Sequence, residues 1–318
     1  MYWQDKIKIG SLQFPRFIGG PLDGITDSPF RKLVREFSTQ ELLYTEMRHV
    51  GSIANQTGGE LALNFEQLER PLNYQIAANK EEFIERACEK ILARGVDIVD
   101  LNIGCPAKNV VKSGSGSALM ADLPRLKNIL LKIRSCLPIP FTLKIRSGFK
   151  EKNAIDVALL AQDCGVDALA LHPRLQTEFF EGRPDYAYAA QVKKAITIPL
   201  ILSGNVINWT TAKLAYEQTG ADGFLIGRGI WAKPWKLAEL NAHARGETFV
   251  VPPSLLFSCA LKHLDNLLAY YGPHGLYTFR KHLPFYLKGL PTAALLRRQL
   301  VVSESIEEVK VTLASLQG

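Results

Sequence analysis

The sequence predicts an α/β chain, a (β/α)8 TIM barrel followed by a small all-α C-terminal domain. Three observations carry that expectation. Eight short apolar runs alternate with amphipathic stretches over the first two-thirds of the chain. Polar side chains gather where those runs end. A break over residues 246–253, with Gly246, Thr248, Pro252 and Pro253, then separates the alternation from a purely helical tail. The expected domains are 1–245, a catalytic barrel, and 246–318, a helical unit.

The strands are expected at Arg16–Gly20, Leu42–Met47, Leu72–Ala77, Val96–Asn102, Pro140–Ile145, Val166–Leu171, Pro199–Ser203 and Gly223–Ile226. They are rich in Val, Ile and Leu and mostly unalternated, which suits strands covered on both faces. Asp27-Ser28-Pro29 caps the helix after the first strand, with proline in its first turn. Glu81–Arg94 sets Phe83, Ile84, Ala87, Ile91 and Leu92 on one stripe, and Glu82, Glu85, Lys90 and Arg94 face away. Leu126–Cys136 and Ala154–Cys164 repeat the pattern, and Gly95, Gly165 and Gly220 stand where helices stop. The second unit is the weakest, because residues 48–71 lack periodicity and read as a functional loop. In the tail, Ser254–Tyr271 spaces Leu255, Leu256, Cys259, Leu264 and Leu267 helically. Glu304–Gln317 opens on a Ser305–Glu308 capping box.

Composition narrows the class. The 318 residues are 47% hydrophobic and 22% charged, which excludes a disordered, collagen-like or coiled-coil chain. No apolar run approaches the ~18 residues that cross a bilayer, and the first residues carry no signal-peptide core. Five cysteines without a C-x-x-C spacing point to a reduced, cytoplasmic protein with neither disulfide nor zinc. No motif suggests a metal. The net charge of +7 favours a polyanionic partner without demanding one. Between residues 248 and 300, Lys262, Arg280, Lys281, Lys288, Arg297 and Arg298 face a single acid, Asp265, and six aromatics lie among them. Two readings stay open: a bundle with solvated cations, or a basic aromatic face for an RNA backbone.

The strand ends carry the chemistry, since a barrel of this kind holds its active site there. In order they offer Pro21-Leu22-Asp23, Glu46, Gln75, Asn102 with Cys105, Lys144 with Arg146, His172 with Arg174, Ser203-Gly204-Asn205 and Gly227-Arg228. A barrel kept as scaffold has no reason to crowd such groups onto one rim. The last two turns suit a phosphate cradle, although ordinary βα turns also carry glycine. Lys144 and Arg146 share strand parity and enter the same mouth. Two buried cations need anionic company: the N1–C2=O edge of a flavin, or ion pairs with Glu46 or Asp23. Cys105 stands in a Gly-Cys-Pro turn as nucleophile, proton donor or inert loop residue, and no neighbouring histidine base is evident. His172 is functional or structural.

Taken together, these segments resemble the tRNA-dihydrouridine synthases. The motifs are Gly20-Pro-Leu-Asp-Gly-Ile-Thr-Asp-Ser-Pro-Phe-Arg31, Asp100-Leu-Asn-Ile-Gly-Cys-Pro-Ala-Lys108, Leu143-Lys-Ile-Arg146, Leu171-His-Pro-Arg174 and Ile226-Gly-Arg228. Tyr270–Pro273, Arg280–His282 and Tyr286–Lys288 are similar to the helical domain of the bacterial B subgroup. The resemblance implies an FMN-dependent enzyme that uses NADPH to reduce the C5–C6 bond of particular uridines in tRNA, with the D-loop as expected target. It implies Pro21, Leu22 and Asp23 along the flavin, with Gln75, Lys144 and His172 contacting it. Ser203, Gly204, Asn205, Gly227 and Arg228 would hold its phosphate. Asn102 and Arg146 would hold the extruded uracil, Cys105 would be the general acid, and residues 246–318 would grip the tRNA. A monomer with no membrane or metal partner is expected.

The chain departs from the family in reading Gly20-Pro-Leu22 for Ala-Pro-Met, His172-Pro-Arg-Leu175 for His-Gly-Arg-Thr, and Ser203-Gly-Asn205 for Asn-Gly-Asp. Two other readings compete: an RNA-binding protein with a disused flavin barrel, and an FMN barrel acting on a free pyrimidine.

Overall fold

A computed structural model describes residues 2–55, 63 and 65–317. It opens with an antiparallel hairpin of β1 (Ile7–Ile9) and β2 (Leu12–Phe14) that the pattern of apolar runs did not announce. Ile7, Ile9 and Phe14 pack with Ile98, Ala168, Ala170, Ile201 and Leu225 from the strand interiors, and Gly10 sits against Pro140 and Asp167 at two strand starts. The hairpin therefore stoppers the N-terminal end of the barrel, away from the rim that carries the chemistry.

The chain then alternates. β3 (Phe17–Gly19) leads to α1 (Ser28–Arg35); β4 (Leu43–Tyr44) and the short β5 (Arg48–His49) lead to α2 (Val50–Asn55). β6 (Leu72–Ala77) precedes α3 (Ile84–Ala93), and β7 (Ile98–Asn102) precedes α4 (Lys108–Lys112) and α5 (Leu123–Cys136). β8 (Phe141–Gly148), β9 (Ala168–Leu175), β10 (Leu200–Ser203) and β11 (Gly223–Ile226) are followed by α6 (Ala154–Asp163), α7 (Tyr186–Ala195), α8 (Trp209–Thr219) and α9 (Lys236–Ala244). Neighbouring strands are parallel throughout, and pairings of β11 with β3 and of β4 with β6 close the ring. Closure removes the exposed edges that an open sheet would leave.

The second unit differs from the expected Leu42–Met47 strand. β4 ends opposite Asn73 and β5 begins opposite Ile76, so four steps on one strand span three on the other. Thr45, Glu46 and Met47 form the resulting bulge, a device that re-aims side chains at a barrel rim. Of the expected functional loop over 48–71, residues 56–62 and 64 lie outside the described residues. Its last part is structural: Glu69, wholly buried, accepts from Arg31 Nε at 2.7 Å and from Ser28 Oγ at 2.6 Å, which ties it to α1.

The local signals act as expected in several places. Asp27 accepts the Phe30 amide at 3.0 Å as the cap of α1, and Gly95, Gly165 and Gly220 take left-handed φ where helices end. The Ser305–Glu308 box is only half made. Ser305 accepts the Glu308 amide at 3.1 Å, but the Glu308 carboxylate turns to Ser303 at 2.6 Å and Gln299 at 2.8 Å.

After residue 253 the chain is helical: α10 (Leu255–Tyr271), α11 (Gly275–Phe279), α12 (Leu283–Tyr286), α13 (Ala293–Leu300) and α14 (Ile306–Ser315). Leu264, Leu267, Phe279, Tyr286 and Leu313 build their own core, which Leu33, Ala232 and Trp235 of the barrel join. Among the described residues, no helix is long and apolar enough to cross a membrane.

Candidate active site

At the C-terminal ends of the strands lies a cleft bordered by Pro21, Leu22, Lys144, His172, Ser203–Ile207 and Gly227–Gly229, with Phe180 over it. Lys144 projects from the middle of β8 and makes no ion pair among the described residues; burial and the nearby Arg146 push its ammonium down to about 8. Asp23 and Glu46 are not its partners, because Arg48 takes both, at 3.7 Å and 3.0 Å. Arg228 is exposed beside the cleft, with its guanidinium 5.4 Å from the centre of the Phe180 ring. The cleft is thus strongly cationic, and two of its cations are left for a ligand.

Backbone shape serves the same end. Gly204 has φ +99, and a Cβ there would sit 2.9 Å from His172 Cδ2, so only glycine lets this turn approach the histidine. Asn205 follows with φ +58. The Tyr186 hydroxyl donates to the Gly204 carbonyl at 2.6 Å and fixes the turn from outside. His172 is buried and surrounded by Lys144, Arg146, Arg174 and Arg228, and burial with these charges holds its pKa near about 2. It is neutral. Arg174 donates to its Nε2 at 2.8 Å, which leaves the ring proton on Nδ1.

The rim residues of β6, β7 and β8 are held differently. Gln75, 1% exposed, donates to Asp100 at 2.8 Å and accepts from Asn102 at 2.8 Å. The Asn102 carbonyl oxygen accepts the Gly104 amide at 2.9 Å. Arg146, also 1% exposed, donates to the carbonyls of Gly104 (2.8 Å), Leu175 (3.0 Å) and Phe179 (2.7 Å). None of these three side chains, nor Asp23, borders the cleft. Gln75 and Asp23 were expected against the ligand; Gln75 is instead engaged at both ends of its amide, and Asp23 is exposed and faces Arg48. Cys105 is a free, half-buried thiol next to the Gly104 turn, close enough to Lys144 and Arg146 to act on both charges.

Sequence reasoning brought Pro21, Leu22, Lys144, His172, Ser203, Gly204, Asn205, Gly227 and Arg228 to one cleft, and the structure places them there. It missed Phe180, which lies 6.0 Å from the His172 ring and is half exposed over the opening. The signal was an aromatic pair, Phe179-Phe180, inside an otherwise polar loop. Among the described residues no cluster of His, Cys, Asp and Glu could hold a metal ion.

A family model described as dihydrouridine synthase matches residues 18–317. A probable tRNA-dihydrouridine synthase 1 of Synechocystis sp. is 34% identical over 313 residues, covering 97% of this chain and 88% of that one. The tRNA-dihydrouridine synthase B of Pseudomonas aeruginosa is 34% identical over 303 residues, covering 92% and 90%. Among solved structures, an old yellow enzyme homologue from Zymomonas mobilis shares the fold with a TM-score of 0.54 at 13% identity, covering 73% of this chain and 90% of that one.

Proposed function

The chain belongs to the dihydrouridine synthase family and is a flavin-dependent oxidoreductase, and we propose that it reduces the C5–C6 double bond of specific uridines in tRNA, with FMN as its flavin and NADPH as its reductant. The observation that carries this reading is the cationic cleft, where Lys144 and Arg228 have no carboxylate partner among the described residues and stand beside a glycine-walled turn. A planar, anionic, phosphate-bearing group fits that donor set. Pro21 and Leu22 would lie along its ring, and Lys144 and His172 would bond its polar edge. Ser203, Gly204, Asn205, Gly227 and Arg228 would take the phosphate. When bound, the flavin supplies the hydride that uracil C6 receives.

The chain's own part is to bring a base out of its stack and protonate C5. Extrusion costs a few kcal/mol, least in a loosely stacked loop, which favours the D-loop as target. Cys105 would donate the proton, and Asn102 and Arg146 hold the turn in which it would meet the uracil. Residues 246–318 would form the tRNA-binding domain. Lys281, Lys288, Arg297 and Arg298 are exposed there with Tyr277 and Phe285, while Phe279 and Tyr286 are core. Lys281 Nζ also lies 3.2 Å from where a Gly24 side chain would begin, so this basic surface reaches the rim. A cytoplasmic monomer completes the proposal.

The test is direct. Purified protein should be yellow, should oxidise NADPH faster when undermodified tRNA is added, and should form dihydrouridine in it. Cys105→Ala should keep the flavin and lose the product. A colourless protein that takes up no FMN, or turnover of free uracil but not of tRNA, would refute the reading.

A further inference from the structure

Beneath the Cys105 turn runs a chain of hydrogen bonds whose direction is set by one group. Asp100 is completely buried, and each carboxylate oxygen accepts one bond, Oδ1 from the Thr142 hydroxyl at 2.7 Å and Oδ2 from Gln75 Nε2 at 2.8 Å. Thr142 takes its own direction from Asn73 Nδ2 at 3.0 Å. Burial lifts the Asp100 carboxyl to about 7, while its bonds from Thr142 and Gln75 favour the ionised form. An ionised carboxylate can only accept, so in that form Gln75 turns its NH2 to Asp100 and its carbonyl to Asn102. Asn102 answers with its NH2 at 2.8 Å, and its own carbonyl is left for the Gly104 amide at 2.9 Å. Gly104 immediately precedes Cys105, and Arg146 holds the peptide on its other side by donating to the Gly104 carbonyl at 2.8 Å. No amide in the series can turn over without setting donor against donor.

We propose that Asp100 is a positioning residue for the reaction, acting through Gln75 and Asn102 to hold the Gly104 peptide, and with it the Cys105 thiol, in working geometry. The proposal deepens the reading of Cys105 as proton donor and rests on it for its effect on turnover. Its effect on the thiol itself does not depend on that reading.

The logic of the chain supplies the test. In Asp100→Asn, the carbonyl of the new side chain keeps the Thr142 hydroxyl, so its NH2 faces Gln75. Gln75 then turns, Asn102 turns after it, and the Asn102 NH2 meets the Gly104 N–H. The turn is released. Adding Gln75→Glu restores the order with the charge moved one residue along: the Asn carbonyl accepts from Thr142, its NH2 donates to Glu, the second Glu oxygen accepts from Asn102, and the Asn102 carbonyl again accepts Gly104. A residue important only as bulk or as local charge would not be rescued by that exchange.

The experiment uses the full-length flavin-loaded protein carrying Cys136→Ser, since Cys88, Cys164 and Cys259 are buried. The rate of Cys105 alkylation by iodoacetamide, the flavin content, and kcat and KM for tRNA are measured. Asp100→Asn should be alkylated at least about threefold faster and lose about 10- to 100-fold in kcat, with flavin retained and KM for tRNA little changed. The double variant should return both readings to within about threefold of the parent. Parent-like alkylation in Asp100→Asn, or a folded double variant as impaired as the single one, would overturn the proposal. If Asp100→Asn does not fold, Gln75→Met breaks the same relay with the charge in place and must show the same faster alkylation; a parental rate there overturns it equally. If the parent makes no dihydrouridine, the proposed function fails while the alkylation comparison still decides the role of Asp100.

Discussion

Lys144 is a cation that its buried position beside Arg146 makes unstable. Its ammonium drops from an ordinary 10.5 to about 8, chiefly through burial and then through Arg146, while Asp100 and Cys105 pull the other way. That displacement corresponds to about 3 kcal/mol of penalty on the charged form. The figure is a ceiling, because Lys144 keeps partial exposure through the cleft, where water screens the charge. The folded value lies below the unfolded one, so the penalty is absent above pH 10.5, grows as pH falls, and is complete below about pH 8. Lys144→Met should therefore stabilise the flavin-free protein at pH 7 by up to about 3 kcal/mol, less whatever Asp100 loses with its cationic neighbour. On a chain of this size that raises Tm by several degrees, at about 2 °C per kcal/mol. The same change should weaken flavin binding about 10- to 100-fold through loss of a charge-assisted hydrogen bond. Urea unfolding of stripped protein at pH 7 and pH 10.5, with flavin titration at pH 7, reads both effects. A stripped variant no more stable than the parent at pH 7, or a gain that persists at pH 10.5, would refute the argument.

The other predictions read separate parts of the molecule. Gly204→Ala places a methyl 2.9 Å from His172 Cδ2 on a backbone at φ +99, so flavin content should fall sharply and stability by about 2–4 kcal/mol; full flavin loading would contradict this. Glu69→Gln leaves the Arg31 guanidinium buried without its charge partner and should cost about 3–5 kcal/mol in urea unfolding, with a loss under 1 kcal/mol counting against it. His263 and His282 are wholly buried with ring centres 4.3 Å apart, and burial holds His282 near about 3 and His263 well below its ordinary 6.5. The contribution of these two histidines to stability should be flat above about pH 6.5 and fall below it toward pH 3, by about 1.4 kcal/mol per pH unit for each. His282→Phe should remove about 1.4 kcal/mol per pH unit of acid-side loss between pH 6 and pH 5, and an unchanged slope would locate the acid sensitivity elsewhere.

Where the sequence could be read, a local rule was at work. Strand ends, the Asp27 cap and the stopping glycines depend on neighbours a few residues away, and each leaves a repeating or punctuating mark. The β4–β5 bulge left none, because an extra residue in a strand shows only against the register of its partner. The β1–β2 hairpin was hidden for a related reason, since its three-residue strands are too short to establish a period. Arg146 and Arg174 stand at strand ends as read, but their bonds go to loop carbonyls, 29 to 42 residues away for Arg146 and seven and eight away for Arg174. Side chains bound to the backbone of an irregular loop follow no period, so nothing in the sequence marked those bonds.

Those bonds also explain how one rim tolerates so many like charges. Arg146 and Arg174 are each 1% exposed, and between them they take the carbonyls of Leu175, Phe179, Glu181 and Gly182, while Arg174 also reaches Asn205 at 3.3 Å. A guanidinium stays charged when buried if its forked donors are met by fixed dipoles. The two arginines therefore stitch the 175–182 loop to the strand ends and hold Phe180 over the cleft, Phe179 accepting a left-handed φ of +49 as part of that arrangement. A lysine ammonium has no comparable fork, and Lys144 finds no such carbonyls among the described residues. An anionic group in the cleft would match its charge. The rim thus divides its cations by chemistry, with buried arginines building the wall and Lys144 and Arg228 left facing the space that the wall encloses.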